Sequence, residues 1–407
     1  MTFRDLLASH GRTVGLGYAL ALLSSFGQTP FIAVFVSDLR GAFGLSNGTF
    51  GLIYSAATLS SGLIMIWLGG LIDRVNAGLY ASLALFGLGL AALSLSFASS
   101  LALMGVSLFC LRLFGQGMLS HAAITSTARL PEAIRGRAVG IATIGFPSGE
   151  SVLPGLALLT ISTLGWPSAW RMAALVILSS LVAGWAVGRW LGARDRTLDR
   201  DLDPPARNTE PRPPVAGPSR LDILRSRGFL LFIPPMIAPT GIFTAYLIHQ
   251  RYIAETKGWP LEALASGIST YAVVSVVTTM ATGTLVDRFG AIRLSHLYLA
   301  GLVLASLTLA LFDDPAAAPL FFALLGLTGG ANNVVLPAVL AELFGTRHLG
   351  TVRALSGSIC VTASAVTPGV VGLLFDRGVT IGTLSAWFAA YTILATLLTF
   401  ALPNPRA

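Results

Sequence analysis

One phrase is written twice in this chain, 214 positions apart. The first copy is Gly69-Gly70-Leu71-Ile72-Asp73-Arg74, and the second is Gly283-Thr284-Leu285-Val286-Asp287-Arg288-Phe289-Gly290. The same offset relates Gly115 to Gly329, Gly136 to Gly350, and Pro154-Gly155 to Pro368-Gly369. A chance coincidence of common residues would not hold one register over four separated landmarks. The chain is therefore two halves built to one plan, and any fold proposed for it must contain an internal repeat.

Composition decides the solvent. Of 407 residues, 54% are hydrophobic and only 11% are charged, whereas soluble domains carry roughly a quarter charged residues. Apolar runs near the ~20 residues needed to cross a hydrocarbon core fall at about 14–36, 49–72, 78–98, 101–127, 137–163, 167–193, 228–250, 263–286, 291–312, 317–343, 349–376 and 381–402. The runs are long and rich in Leu, Ala and Gly, so they predict helices; a barrel would show short alternating segments. The expected fold class is an all-α integral membrane protein with twelve transmembrane helices in two pseudo-symmetric six-helix bundles, 1–193 and 228–407. Between them, 194–227 alternates Arg with Asp and carries Pro204-Pro205 and Pro213-Pro214. Such a segment suits a flexible cytoplasmic linker, with Ser219–Arg227 able to form a short interfacial helix.

Basic residues orient the spans. With the N-terminus inside, 20 Arg lie in or beside cytoplasmic segments, against five basic residues outside: Arg40, Arg171, Arg251, Lys257 and Arg377. The tail Met1–Arg12 has no cleavage pattern of a signal peptide and is expected to stay as a cytoplasmic tail. The expected location is a bacterial inner membrane, multi-pass, with both termini cytoplasmic and the chain acting as a monomer.

Several function classes are disfavoured. The formal charge of +8 is spread over loops between apolar runs, which argues against nucleic acid as a partner. Cys110 and Cys360 both fall inside apolar segments, as core residues do. No H-E-x-x-H, no G-x-S-x-G in a strand–helix context and no Walker loop occurs, so neither an enzyme nor an ATP-driven pump is expected. No cofactor and no metal site is assigned. Met118, His121 and Met236 have side chains that suit cuprous copper, but no Met-x-x-x-Met or His-x-x-x-Met pair accompanies them.

Twelve spans as six plus six, with G-x-L-x-D-R-x-G loops after spans 2 and 8, resemble the major facilitator superfamily over nearly the whole chain. The second copy matches closely. The first departs from the pattern, with Val75-Asn76 replacing the aromatic-glycine end. Arg112-Leu-Phe-Gly115-Gln116-Gly117, Gly145-Phe-Pro147-Ser-Gly149 and Pro131-Glu-Ala-Ile-Arg135-Gly136-Arg137-Ala138 are similar to further family elements. The resemblance implies secondary transport through a cleft between the halves, lined by spans 1, 4, 7 and 10. It also implies a gating set of Gly69, Asp73, Arg74, Gly283, Asp287, Arg288 and Arg137. In the family's pattern Asp73 faces the start of span 11 near Gly350, and Asp287 faces the start of span 5 near Gly136. Such contacts favour an outward-open state. Physically, Gly69 and Gly283 would let neighbouring helices approach, and each carboxylate would sit at a positive helix N-terminus. Phe26-Gly27-Gln28-Thr29 and Pro234–Gln250 bear a slight similarity to the CalT-type branch of copper importers and riboflavin transporters. The general pattern is also similar to monocarboxylate and oxalate carriers.

Ionisable residues within spans are costly and mark function. Arg112 lies about eleven residues into span 4 and Glu150 about thirteen into span 5, which at ~1.5 Å per residue gives them similar depth and makes an ion pair feasible. Arg112 offers a planar fork for a carboxylate or phosphate. Glu150 and His121 are the candidates for proton coupling. Arg112, Gln116 and Ser120 share one helical stripe. Gln28, Tyr246, Asn332 and Asn333 complete the expected substrate site, with Ser24, Thr240 and Phe243 beside them. The expected partners are a proton, the lipid bilayer and a small, anionic organic solute. A copper or riboflavin importer, a receptor and a channel remain as alternatives.

Overall fold

A computed structural model describes residues 3–192, 220–345 and 349–403. Arg347 and 194–219 of the expected linker lie outside the described residues. Every regular element among those described is helical, and twelve are long and apolar enough to span a bilayer. They are α1 (His10–Val34), α2 (Asn47–Ile72), α3 (Ala77–Ser96), α4 (Leu101–Ala128), α5 (Ile134–Leu164) and α6 (Trp166–Gly184), then α7 (Arg227–Ile248), α8 (Glu262–Phe289), α9 (Ala291–Leu311), α10 (Ala317–Phe344), α11 (Thr351–Asp376) and α12 (Ile381–Thr399). Each falls on one of the apolar runs read from the sequence. A short helix, Arg220–Arg225, precedes α7, where the interfacial helix was expected.

The chain groups into two compact units, Met1–Gly44 with Ala56–Glu210 and Leu45–Ser55 with Pro211–Ala407. In the first, small residues set the helix spacing. A methyl group at Gly145 would strike the Tyr18 carbonyl of α1, and one at Gly149 would strike the Ser25 hydroxyl. Gly27 and Gly115 meet backbone to backbone where α1 crosses α4. Lipid tails give no hydrophobic drive for helices to associate, so such close backbone approach supplies the packing energy. Trp170 of α6 is fully buried against Phe31 and Phe35, with ring centroids 5.2 and 4.5 Å away.

In the second unit, Gly326 and Gly330 of α10 lie against the backbone of α8 at Tyr271 and Ser275. The start of α2 packs on the end of α11, where Asp376 accepts from the Ser46 hydroxyl at 2.6 Å and from the Gly48 amide at 2.8 Å. The Asp376 carboxylate thereby caps a helix N-terminus, where negative charge is favoured.

Gly69 and Gly283 make no close helix crossing among the described residues. A methyl group at Gly283 would meet nothing within 4 Å among the described residues, and at Gly69 only the tip of Met65, 3.7 Å away. The close helix crossings are made by other glycines, deeper in the spans. Replacing Gly145 with Leu should therefore overpack α1 against α5 and destabilise the protein by about 1–3 kcal/mol, whereas Gly283→Leu should leave the melting temperature near that of the parent. Equal melting temperatures for the two variants in detergent would refute this packing assignment.

Candidate functional site

The first unit is organised around breaks in its helices. α1 runs to Ser24, tightens into a 3-10 turn at Ser25–Gly27, and resumes at Thr29–Val34 with Pro30 in its first turn. Gln28 bridges the gap in an extended conformation (φ −89°, ψ 159°). Pro lacks an N–H but is tolerated at a helix start, so the break sits where Pro30 permits it. Across from it, α4 opens into a π-helix at Arg112–Leu119. Such wide turns are rare and are often found at functional sites. The regular i, i+4, i+8 stripe of Arg112, Gln116 and Ser120 is therefore re-aimed, and Ser120 donates to the Gly115 carbonyl five residues back at 3.4 Å.

Arg112 is 1% exposed. Its Nη1 donates to the Gly27 carbonyl at 3.3 Å and to the Thr29 hydroxyl at 3.2 Å. The break in α1 frees that carbonyl, and the arginine takes it up. No ion pair joins Arg112 to Glu150, which differs from the pairing that similar depth made feasible; matching depth does not fix which way two side chains point around their helix axes. Gln28 donates from Nε2 to the Ser24 hydroxyl at 3.5 Å. Gln116 and Glu150 are partly buried, and Glu150 has no ion-pair partner among the described residues.

His121 sits elsewhere. Its Nε2 lies 3.1 Å from the Gly69 carbonyl, at the start of the 3-10 turn Gly69–Asp73 that ends α2. Arg129 donates to the Ile72 carbonyl of the same turn at 2.9 Å. The C-terminal end of α4 thus holds the first copy of the repeated phrase, and His121 belongs to that loop. The side chain of Asp73 lies outside the described residues, while Arg74 and Arg137 are exposed.

The second copy is held by a related device from a different residue. The chain turns after α8 on Gly290 (φ 84°). Glu342, near the end of α10, accepts from the amides of Ala291 and Ile292 at 2.9 and 3.2 Å. Asp287 and Arg288 are exposed on the last turn of α8, with the Arg288 guanidinium 5.2 Å from the Phe289 ring. Glu342 was not singled out in the sequence; its place near the end of a span, with no basic residue at helical spacing, was the available signal.

The second unit contains a cavity of about 120 Å³ bounded by α7, α8, α9 and α10. Thr240 and Phe243 line it from α7, Tyr271 from α8, and Thr328, Asn332 and Asn333 from α10. The Phe243 and Tyr271 rings stack with centroids 4.9 Å apart and planes at 24°. Gly329 lets the Tyr271 hydroxyl rest over the α10 backbone. The buried Thr328 hydroxyl and the Asn332 carboxamide oxygen have no hydrogen-bond partner among the described residues. Asn332, Asn333, Thr240 and Phe243 are thus brought together. Tyr246 is not among the lining residues. It is 2% exposed, donates to the Ser306 hydroxyl at 3.1 Å, and meets Phe321 and Phe388 edge-on in the core. Thr328 and Tyr271 were missed in the sequence, although Thr328 stands one turn before Asn332 on the same face.

The model of the Major Facilitator Superfamily matches residues 14–368 and, in a second match, 236–406. This chain belongs to that superfamily. Two solved structures of a bacterial homologue of the human lysosomal transporter Spinster, inward-facing and either unoccupied or occupied, share the fold. Each aligns with a TM-score of 0.71 and 13% identity over 96% of this chain, covering 94% and 96% of the respective structures. No curated protein sequence matches the chain. Membership makes it a multi-pass membrane transporter of small molecules and not an enzyme. As an engaged structural cation in such a transporter, Arg112 should contribute about 1.5–3 kcal/mol through its charged hydrogen bonds. Arg112→Ala should then lower the melting temperature of the ligand-free protein. An unchanged melting curve would return Arg112 to the role of a pure substrate ligand.

Proposed function

We propose that this transporter moves a small organic solute by alternating access in a bacterial inner membrane, coupled to protons through Glu150. The placement of Glu150 carries the coupling. It is a partly buried carboxylate within α5, one position beyond the Gly149 contact with α1, with no cation fixed to it among the described residues. A carboxylate in such a place can bind a proton in one state and release it in another. A permanent arginine partner would have locked it in its charged form. His121 has a competing engagement with Gly69, so the coupling rests on Glu150 alone.

Cargo binding draws on Gln28 and Gln116 in the first unit and on Thr240, Asn332 and Asn333 in the second. An anionic cargo, the expectation that rested on Arg112, would have to displace Gly27 and Thr29 from its guanidinium. The neutral polar lining of the cavity supports an uncharged contact instead. The Asp-Arg pairs of the two repeated loops serve as the gating set, and the distribution of Arg supports cytoplasmic termini. One chain carries both repeats, so the working unit is a monomer.

Glu150→Gln should abolish accumulation driven by a pH gradient in proteoliposomes while preserving solute exchange across the membrane. Accumulation that keeps the parent's pH dependence in this variant would remove Glu150 from the coupling.

A further inference from the structure

We propose that the cavity of the second unit recognises a planar, uncharged amide-type group on the cargo, such as a carboxamide, lactam or imide, and discriminates against the corresponding carboxylate. This rests on the transport reading above and names the chemistry of one contact in it.

Size sets the first limit. An apolar cavity of about 150 Å³ holds a benzene molecule, so about 120 Å³ admits a planar group smaller than that ring, with the rest of the cargo outside. The stacked Phe243 and Tyr271 rings give that group a flat wall. Polarity sets the second. Thr328 is 2% exposed, and its hydroxyl has no partner. The buried Asn332 carboxamide oxygen has none either. Orphaned buried polar groups are strongly disfavoured, so the site is complete only when a ligand supplies what they lack.

Charge sets the third limit. No charged side chain lines the cavity, and a carboxylate moved there would lose its hydration without gaining a cation. An amide suits the lining better. Asn332 presents an acceptor and donors on one planar edge, which an amide edge matches with two hydrogen bonds, as asparagine does with adenine. The Thr328 hydroxyl, four residues earlier on the same helical face, can meet a remaining donor or acceptor.

The test compares matched pairs on the full-length protein in detergent: nicotinamide with nicotinate, and benzamide with benzoate. At least one amide should raise the melting temperature by about 2 °C or more where its carboxylate partner does not. Asn332→Leu and Thr328→Val should each lose that shift. No shift with any probe, equal shifts within every pair, or a shift that survives both variants would overturn the proposal. The paired comparison on the parent protein decides even if a variant fails to fold. Absence of amide discrimination in the parent protein, with its gradient-driven uptake intact, would reject this inference and leave the transport reading standing, whereas a Glu150→Gln variant that still accumulates solute would reject the coupling alone.

Discussion

Any carbonyl that a helix break frees inside a bilayer must be taken up by another group of the protein, because lipid offers no hydrogen-bond donor. Two breaks in this chain are answered in that way, and further span carbonyls are held by side chains of neighbouring helices. The Gly27 carbonyl, left open by the 3-10 turn in α1, accepts from Arg112. Pro239 has no N–H to give to the Pro235 carbonyl one turn back, and the Tyr298 hydroxyl donates there at 2.6 Å. The Tyr391 hydroxyl donates to the neighbouring Pro234 carbonyl at 3.2 Å. On α11 the His249 ring bonds the Pro368 carbonyl at 3.0 Å. Polar side chains that look like ligands in a linear reading are largely committed to the backbone of a neighbouring helix.

That commitment sorts the polar residues of the spans. Arg112, Tyr246, His121 and His249 hold neighbouring elements in place. The Thr328 hydroxyl and the Asn332 carboxamide oxygen have no hydrogen-bond partner among the described residues, and Glu150 has no ion-pair partner there. In a medium where unpaired polar groups are expensive, those residues carry the proton coupling and the solute contact proposed above. The repeated loops show the same economy. One is pinned by His121 and Arg129 of α4, the other by Glu342 of α10. The repeat keeps the helix that does the holding and changes the chemistry that does it.

The spans were legible because their signal is one-dimensional. A run such as Leu101–Ala128 announces a helix by length and apolarity alone, and the 214-residue offset gave the division into repeats. Part of the cavity was legible too, since Asn332 and Asn333 stand out as amides in an apolar run. Other features left no such mark. The π-turn at Arg112–Leu119 lies against the break in α1, a pairing that no local sequence signal marks. The close crossings at Gly27, Gly145 and Gly326 could not be told from the open positions at Gly283 and Gly136, because glycine is common throughout the chain and what it touches is set by helix rotation. The Arg112–Glu150 pairing failed for the same reason, since depth follows from residue count and azimuth does not.

The sequence by itself determined the solvent, the count and limits of the spans, the internal repeat and the family. All of these follow from local composition and from spacing along one line. The tertiary structure decided which polar side chains are consumed by the fold and which remain available: Arg112 bound to Gly27, Tyr246 sealed in the core, Thr328 and Asn332 left with unanswered polar atoms. That distinction belongs to no residue on its own. A hydrogen bond across two helices depends on the rotation of both about their axes, and packing between distant segments sets those rotations.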